Sequence, residues 1–79
     1  MERSYYTTEL IKQLRIKRGL SRDDLAHRLG YKTAQYIWSV ESSRTLPSPK
    51  LLKEFSKALG VKLNVLKSAA MKDFEKKFR

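Results

Sequence analysis

If residues 34–42 are helical, Gln35, Ser39 and Ser42 project on one side, because at roughly 100° per residue positions i, i+4 and i+7 fall close together. Ile37, Val40 and Glu41 then share the opposite side, with Tyr36 and Trp38 on the flanks. One face is apolar with a single acid; the other has short hydrogen-bonding side chains and no carboxylate. In a chain with eighteen Lys and Arg against eight acids, net charge +10, an acid-free polar face suits docking on a polyanion. Gln can bond adenine N6 and N7 in a bidentate way, Ser can meet either base edge, and the small Ala34 can meet a thymine methyl.

Other reactive-looking residues have simpler explanations. Asp23 and Asp24 resemble a carboxylate dyad but fall in a first helical turn, where they favour the helix dipole. His27 is the single histidine and there is no cysteine, so metal-ligand spacing and a nucleophile–base constellation are both missing. Enzyme, metal and cofactor chemistry are not expected, and no small-molecule effector is evident.

The elements that must position the polar face follow from breakers and periodicity. Residues 1–6 read as an arm, with Arg3 near a phosphate and Tyr5 and Tyr6 packing on a neighbouring helix. Thr7 or Thr8 caps a first helix carrying Leu10, Ile11 and Leu14 and ending at Gly19. Ser21 caps a second, residues 22–29, with Asp24 as the return partner of a capping box. Gly30 stops it, and Thr33 caps the third. Ser48 and Pro49 open a fourth, built on Leu51, Leu52, Phe55, Ala58 and Leu59 and closed by Gly60. A fifth, residues 63–78, shows a stripe of Leu63, Leu66, Ala70, Phe74 and Phe78 with Met71 beside it. Trp38 has two placements open: along a sugar–phosphate strand, or buried between helices 2 and 3, which its large apolar surface favours.

Seventy-nine residues make one domain, with a core over 7–68 and a helical extension over 69–79. The first ten residues contain no apolar run, so a cytoplasmic protein with no membrane span is expected.

Leu25-Ala26, Gly30, Ile37, Val40-Glu41 and Pro47-Ser48, in register over residues 10–66, resemble the helix-turn-helix of the lambda-repressor-like (Xre/Cro/cI-type) family. There are three departures. The turn Tyr31-Lys32-Thr33 is one residue longer than the common form, Trp38 replaces a small polar residue, and Ser43 stands where Gly usually follows the Glu. The resemblance implies an all-α, five-helix lambda-repressor-like domain and a transcriptional regulator of double-stranded DNA. Ala34, Gln35 and Ser39 would meet bases, while Arg22, Lys32, Thr33, Tyr36, Ser43 and Arg44 would meet phosphates. It also implies an ion pair between Arg15 of helix 1 and Glu41. The C-terminal stripe either pairs two subunits or folds back over helix 1; a homodimer through Met71, Phe74 and Phe78 is expected. The rival from another class is an antitoxin-like or regulator-partner module that binds protein through the C-terminal helix. RNA binding is weaker, since aromatic platforms for single strands are not evident.

Overall fold

The computed structural model describes residues 5–77, in five helices: α1 Tyr6–Lys17, α2 Arg22–Arg28, α3 Gln35–Glu41, α4 Pro49–Leu59 and α5 Leu63–Lys77. Among the described residues there is no strand. The all-α, five-helix architecture implied by the resemblance is therefore present. Arg3, Phe78 and Arg79 lie outside the described residues.

The core forms where the apolar faces meet. Ile11 of α1, Leu25 and Ala26 of α2, Ile37 and Val40 of α3, Phe55 and Leu59 of α4 and Leu66 of α5 are almost completely buried together. Small Ala26 lets α2 and α3 approach closely, and the most extensive helix contact is α1 against α5.

Helix starts follow the sequence twice and depart from it twice. The Ser21 hydroxyl accepts from Asp24 N at 3.0 Å, and the Asp24 carboxylate accepts from Ser21 N at 2.9 Å. Hydrogen bonding from the Ser21 backbone N–H first, and then from its side chain, holds the Asp24 carboxyl below its ordinary value. Ser48 accepts from Leu51 N, with Pro49 in the first turn. The third helix is capped by Ala34, which offers no side-chain bond, and Thr33 accepts only a long 3.5 Å bond from Gln35 N.

At α1, neither Thr7 nor Thr8 is the cap. Tyr5 occupies that position without a side-chain bond, and both threonines are buried inside the first turn. The acceptor comes from the other end of the chain. Asp73 of α5, itself buried, accepts from Tyr6 N at 2.6 Å, Thr7 N at 2.9 Å and Thr7 Oγ1 at 2.6 Å. A carboxylate on N–H groups that lack an intrahelical acceptor, at a positive helix end, is favourable on both hydrogen-bonding and dipole grounds.

This anchoring corrects the expected stripe of α5. The inward row is Leu66, Ala69 and Asp73, with Ala70 half-buried, whereas Met71 and Phe74 are 62% and 61% exposed. With Asp73 drawn onto α1, Phe74 turns about 100° further around the helix. The C-terminal helix folds back over α1, and Ala69 and Asp73 of its second half contribute to the packed interior. Met71 and Phe74, with Pro49, Leu52, Leu63, Lys67 and Ala70, line an open groove of about 390 Å³ between α4 and α5.

Candidate nucleic-acid interface

The orientation of α3 is set from behind. Ile37 and Val40 are fully buried. Between them and solvent lies Glu41, whose side chain is only 2% exposed. Arg15 Nε donates to Glu41 Oε2 at 2.6 Å and Arg15 Nη2 to Oε1 at 3.1 Å. Arg22 Nε, from the first residue of α2, donates to Oε1 at 3.0 Å. Arg15 also donates from Nη1 to the Leu20 carbonyl at 2.8 Å. The buried carboxylate is thus compensated by two guanidiniums, as a desolvated charge requires, and it ties α3 to α1 and α2 at once. The spacing alone did not announce the part of Arg22, which adds a second cation to the pair implied by the resemblance.

With the rear face fixed, the opposite side of α3 is open. Gln35 and Ser42 are exposed, and Ser39 and Ala34 are partly covered. The Ser42 hydroxyl donates to the Ser39 carbonyl at 3.1 Å. The first turn of α3 has no acid, and the acid of its last turn is the buried Glu41. Lys32 and Thr33 are exposed in the turn before α3, and Arg44 is exposed just after it.

Three phosphate candidates, Arg22, Tyr36 and Ser43, also make contacts within the fold, Arg22 through its Nε bond to Glu41. Tyr36 is half-buried, its ring 5.1 Å from Tyr31 and stacked 6.5 Å from Phe55. Burial first, and then neighbouring Tyr31, push its phenol above the ordinary value. Ser43 Oγ lies 2.9 Å from Thr8 Oγ1. Since the Thr8 hydroxyl donates to the Tyr5 carbonyl at 3.1 Å, the Ser43 hydroxyl is the donor of that pair. Ser43 N is bonded to the Val40 carbonyl, so both donors of Ser43 act within the fold.

Trp38 is also a correction. Burial between α2 and α3 does not occur: the indole is 46% exposed, and the Arg44 guanidinium lies 5.1 Å from its ring centroid. Counting about 100° per residue keeps Trp38 on the flank of the open face, about 60° from Gln35 and about 40° from Ser42, and its exposure brings it alongside that face. The geometry therefore assembles Gln35, Trp38, Ser39 and Ser42 in one strip edged by Lys32 and Arg44. Such a strip can make hydrogen bonds, one large apolar contact and ion pairs; among the described residues nothing clusters as a metal site.

Residues 11–66 match the family described as Helix-turn-helix. No curated protein and no solved structure gives a significant match. Among the described residues no helix is long and apolar enough to cross a membrane. The matched span covers α2, the turn, α3 and the clamp that orients them, which places this chain in the Xre/Cro/cI-type helix-turn-helix family as a non-catalytic, DNA-binding regulatory domain.

Proposed function

We propose that the protein is a sequence-specific regulator that binds double-stranded DNA as a homodimer on an inverted repeat, with α3 in the major groove. The observation that carries this reading is the acid-free outer face of α3, held by the Arg15–Glu41–Arg22 clamp in a chain of net charge +10. In this docking α2 crosses the backbone and the N-terminal residues of α3 reach base edges. Gln35 bonds an adenine, a contact that supplies ~1–3 kcal/mol of discrimination. Ala34 meets a thymine methyl and Ser39 a base edge. Arg22, Lys32, Thr33 and Arg44 set the register on phosphates. A dimer spaces two α3 helices about 34 Å apart. Support for dimerisation comes from the exposed Met71 beside the α4–α5 groove.

Selection from random duplex DNA, with native mass measured alongside, tests the reading. Gln35→Ala should relax preference at one base pair per half-site. Arg44→Ala should weaken all sequences alike and flatten the dependence of log affinity on log salt by about one unit. If both variants bind DNA as the parent does at low and moderate salt, the second reading takes over. In it the chain is an antitoxin-like or regulator-partner module that binds protein through α5, and the same groove favours it.

A further inference from the structure

We infer that Trp38 is a specificity-determining residue, reading a thymine through its C5-methyl group. The inference rests on the proposed docking of α3. Large apolar side chains of α3 are otherwise hidden: Ile37 and Val40 are fully buried, while Trp38 is 46% exposed. It borders the open face, beside Gln35 and Ser42. A single exposed apolar side chain is ordinary on a protein surface. This one differs in two respects: it stands beside the polar residues of the candidate strip, and the Arg44 guanidinium lies over its ring, 5.1 Å from the centroid.

The chemistry of the groove narrows what the indole can meet. Base edges there present hydrogen-bond donors and acceptors, with one apolar exception, the thymine methyl. An indole is bulky and donates a single hydrogen bond. Laid over the O6 and N7 of guanine or the amino group of cytosine, its ring face strips water from polar atoms, and its single N–H, in the plane of the ring, does not replace what is lost. Over a thymine methyl it buries apolar surface on both partners. Trp38 therefore favours T·A and disfavours G·C at its position, and Arg44, stacked on the ring, is held toward the neighbouring phosphate.

The test uses the full chain and a duplex enriched from random DNA. Each thymine is replaced singly by deoxyuridine, which removes only the methyl. The parent should lose roughly fourfold in affinity at one thymine per half-site, the equivalent of one buried methyl. Trp38→Ala should bind the thymine and deoxyuridine duplexes equally, with an unchanged melting curve, while Trp38→Phe should keep part of the discrimination. Comparing thymine with deoxyuridine separates this contact from the one assigned to Ala34, because only the Trp38-linked position loses its preference in Trp38→Ala. If Trp38→Ala weakens both duplexes alike and every thymine keeps its effect, the indole serves the backbone or the fold and the inference is overturned, while DNA reading by α3 stands. The same holds if no deoxyuridine affects the parent. If no sequence is enriched at all, the proposed function and the inference fall together. Should Trp38→Ala not fold, Trp38→Phe decides by the same comparison: discrimination equal to the parent's at every thymine would overturn the assignment.

Discussion

Glu41 accepts three hydrogen bonds from two arginines while nearly excluded from water. Removing one side of such a buried arrangement costs about 3–5 kcal/mol, because the partners keep their desolvation without its compensation. Arg15, itself almost buried, would retain only the Leu20 carbonyl. Glu41→Ala should therefore lower the melting temperature by roughly 12 °C or more in a domain this small; a fall of one or two degrees in a thermal melt would mean that water reaches the carboxylate. Ser43 gives a finer comparison. Its φ of 61° is strained for any residue with a Cβ, by ~1 kcal/mol, and its hydroxyl bond to Thr8 contributes a similar amount. Ser43→Gly should relieve one and lose the other, leaving urea stability within about 0.5 kcal/mol of the parent, whereas Ser43→Ala loses the bond, keeps the strain and should fall by ~1 kcal/mol. The need for a residue tolerant of this backbone was legible in Ser43 replacing the usual Gly. The place of Trp38 was not: apolar surface argued for burial, and nothing in the residue order reveals that a loop arginine will cover an indole from outside.

Helix ends explain which elements the sequence disclosed. The ends of α1, α2, α3 and α4 are closed alike, by a backbone N–H reaching five residues back inside which a second reaches three: Leu20 to Arg15 and Gly19 to Ile16, Tyr31 to Ala26 and Gly30 to His27, Arg44 to Ser39 and Ser43 to Val40, Val61 to Ser56 and Gly60 to Lys57. This closure needs a left-handed residue, so Gly30 and its counterparts mark three ends in the sequence and Ser43 takes the fourth. Starts were legible where the cap is local, as at Ser21 and Ser48. They were not legible at α1, where the acceptor lies 66 residues away in sequence, and an acid flanked by Lys72 and Phe74 looks like any solvated position. Asp73→Ala would leave Tyr6 N–H, Thr7 N–H and the Thr7 hydroxyl without their acceptor, in part-buried or buried surroundings. At ~1–3 kcal/mol for an orphaned buried group, the variant should lose at least ~2 kcal/mol. Hydrogen exchange should quicken first at Tyr6 and Thr7. Unchanged protection there would show that the Asp73 carboxylate is not what holds these groups.

At the scale of the whole molecule, charge and assembly act together. The acids that lie deepest, Glu41 and Asp73, tie helices together, and in a chain of net charge +10 each phosphate neutralised makes binding more salt-dependent. In the proposed docking one half-site offers α3 few base contacts, and pairing two copies would multiply them. Cutting the chain after Ala70 is a poor test of that pairing, since it also removes Asp73 and unties α1. Met71→Glu is cleaner: the residue is 62% exposed, Glu is a good helix former, and a charge facing its own copy across a two-fold axis repels. The parent should run at twice 9.3 kDa by native mass and Met71→Glu at the single mass, with an unchanged melting profile at low concentration. On a duplex with two half-sites the variant should bind as weakly as on one, while its affinity for an isolated half-site stays that of the parent. A parent that remains at 9.3 kDa alone at micromolar concentration, and that loads a duplex with two half-sites no more tightly than one half-site, would remove the dimer and leave the α4–α5 groove to a different protein partner.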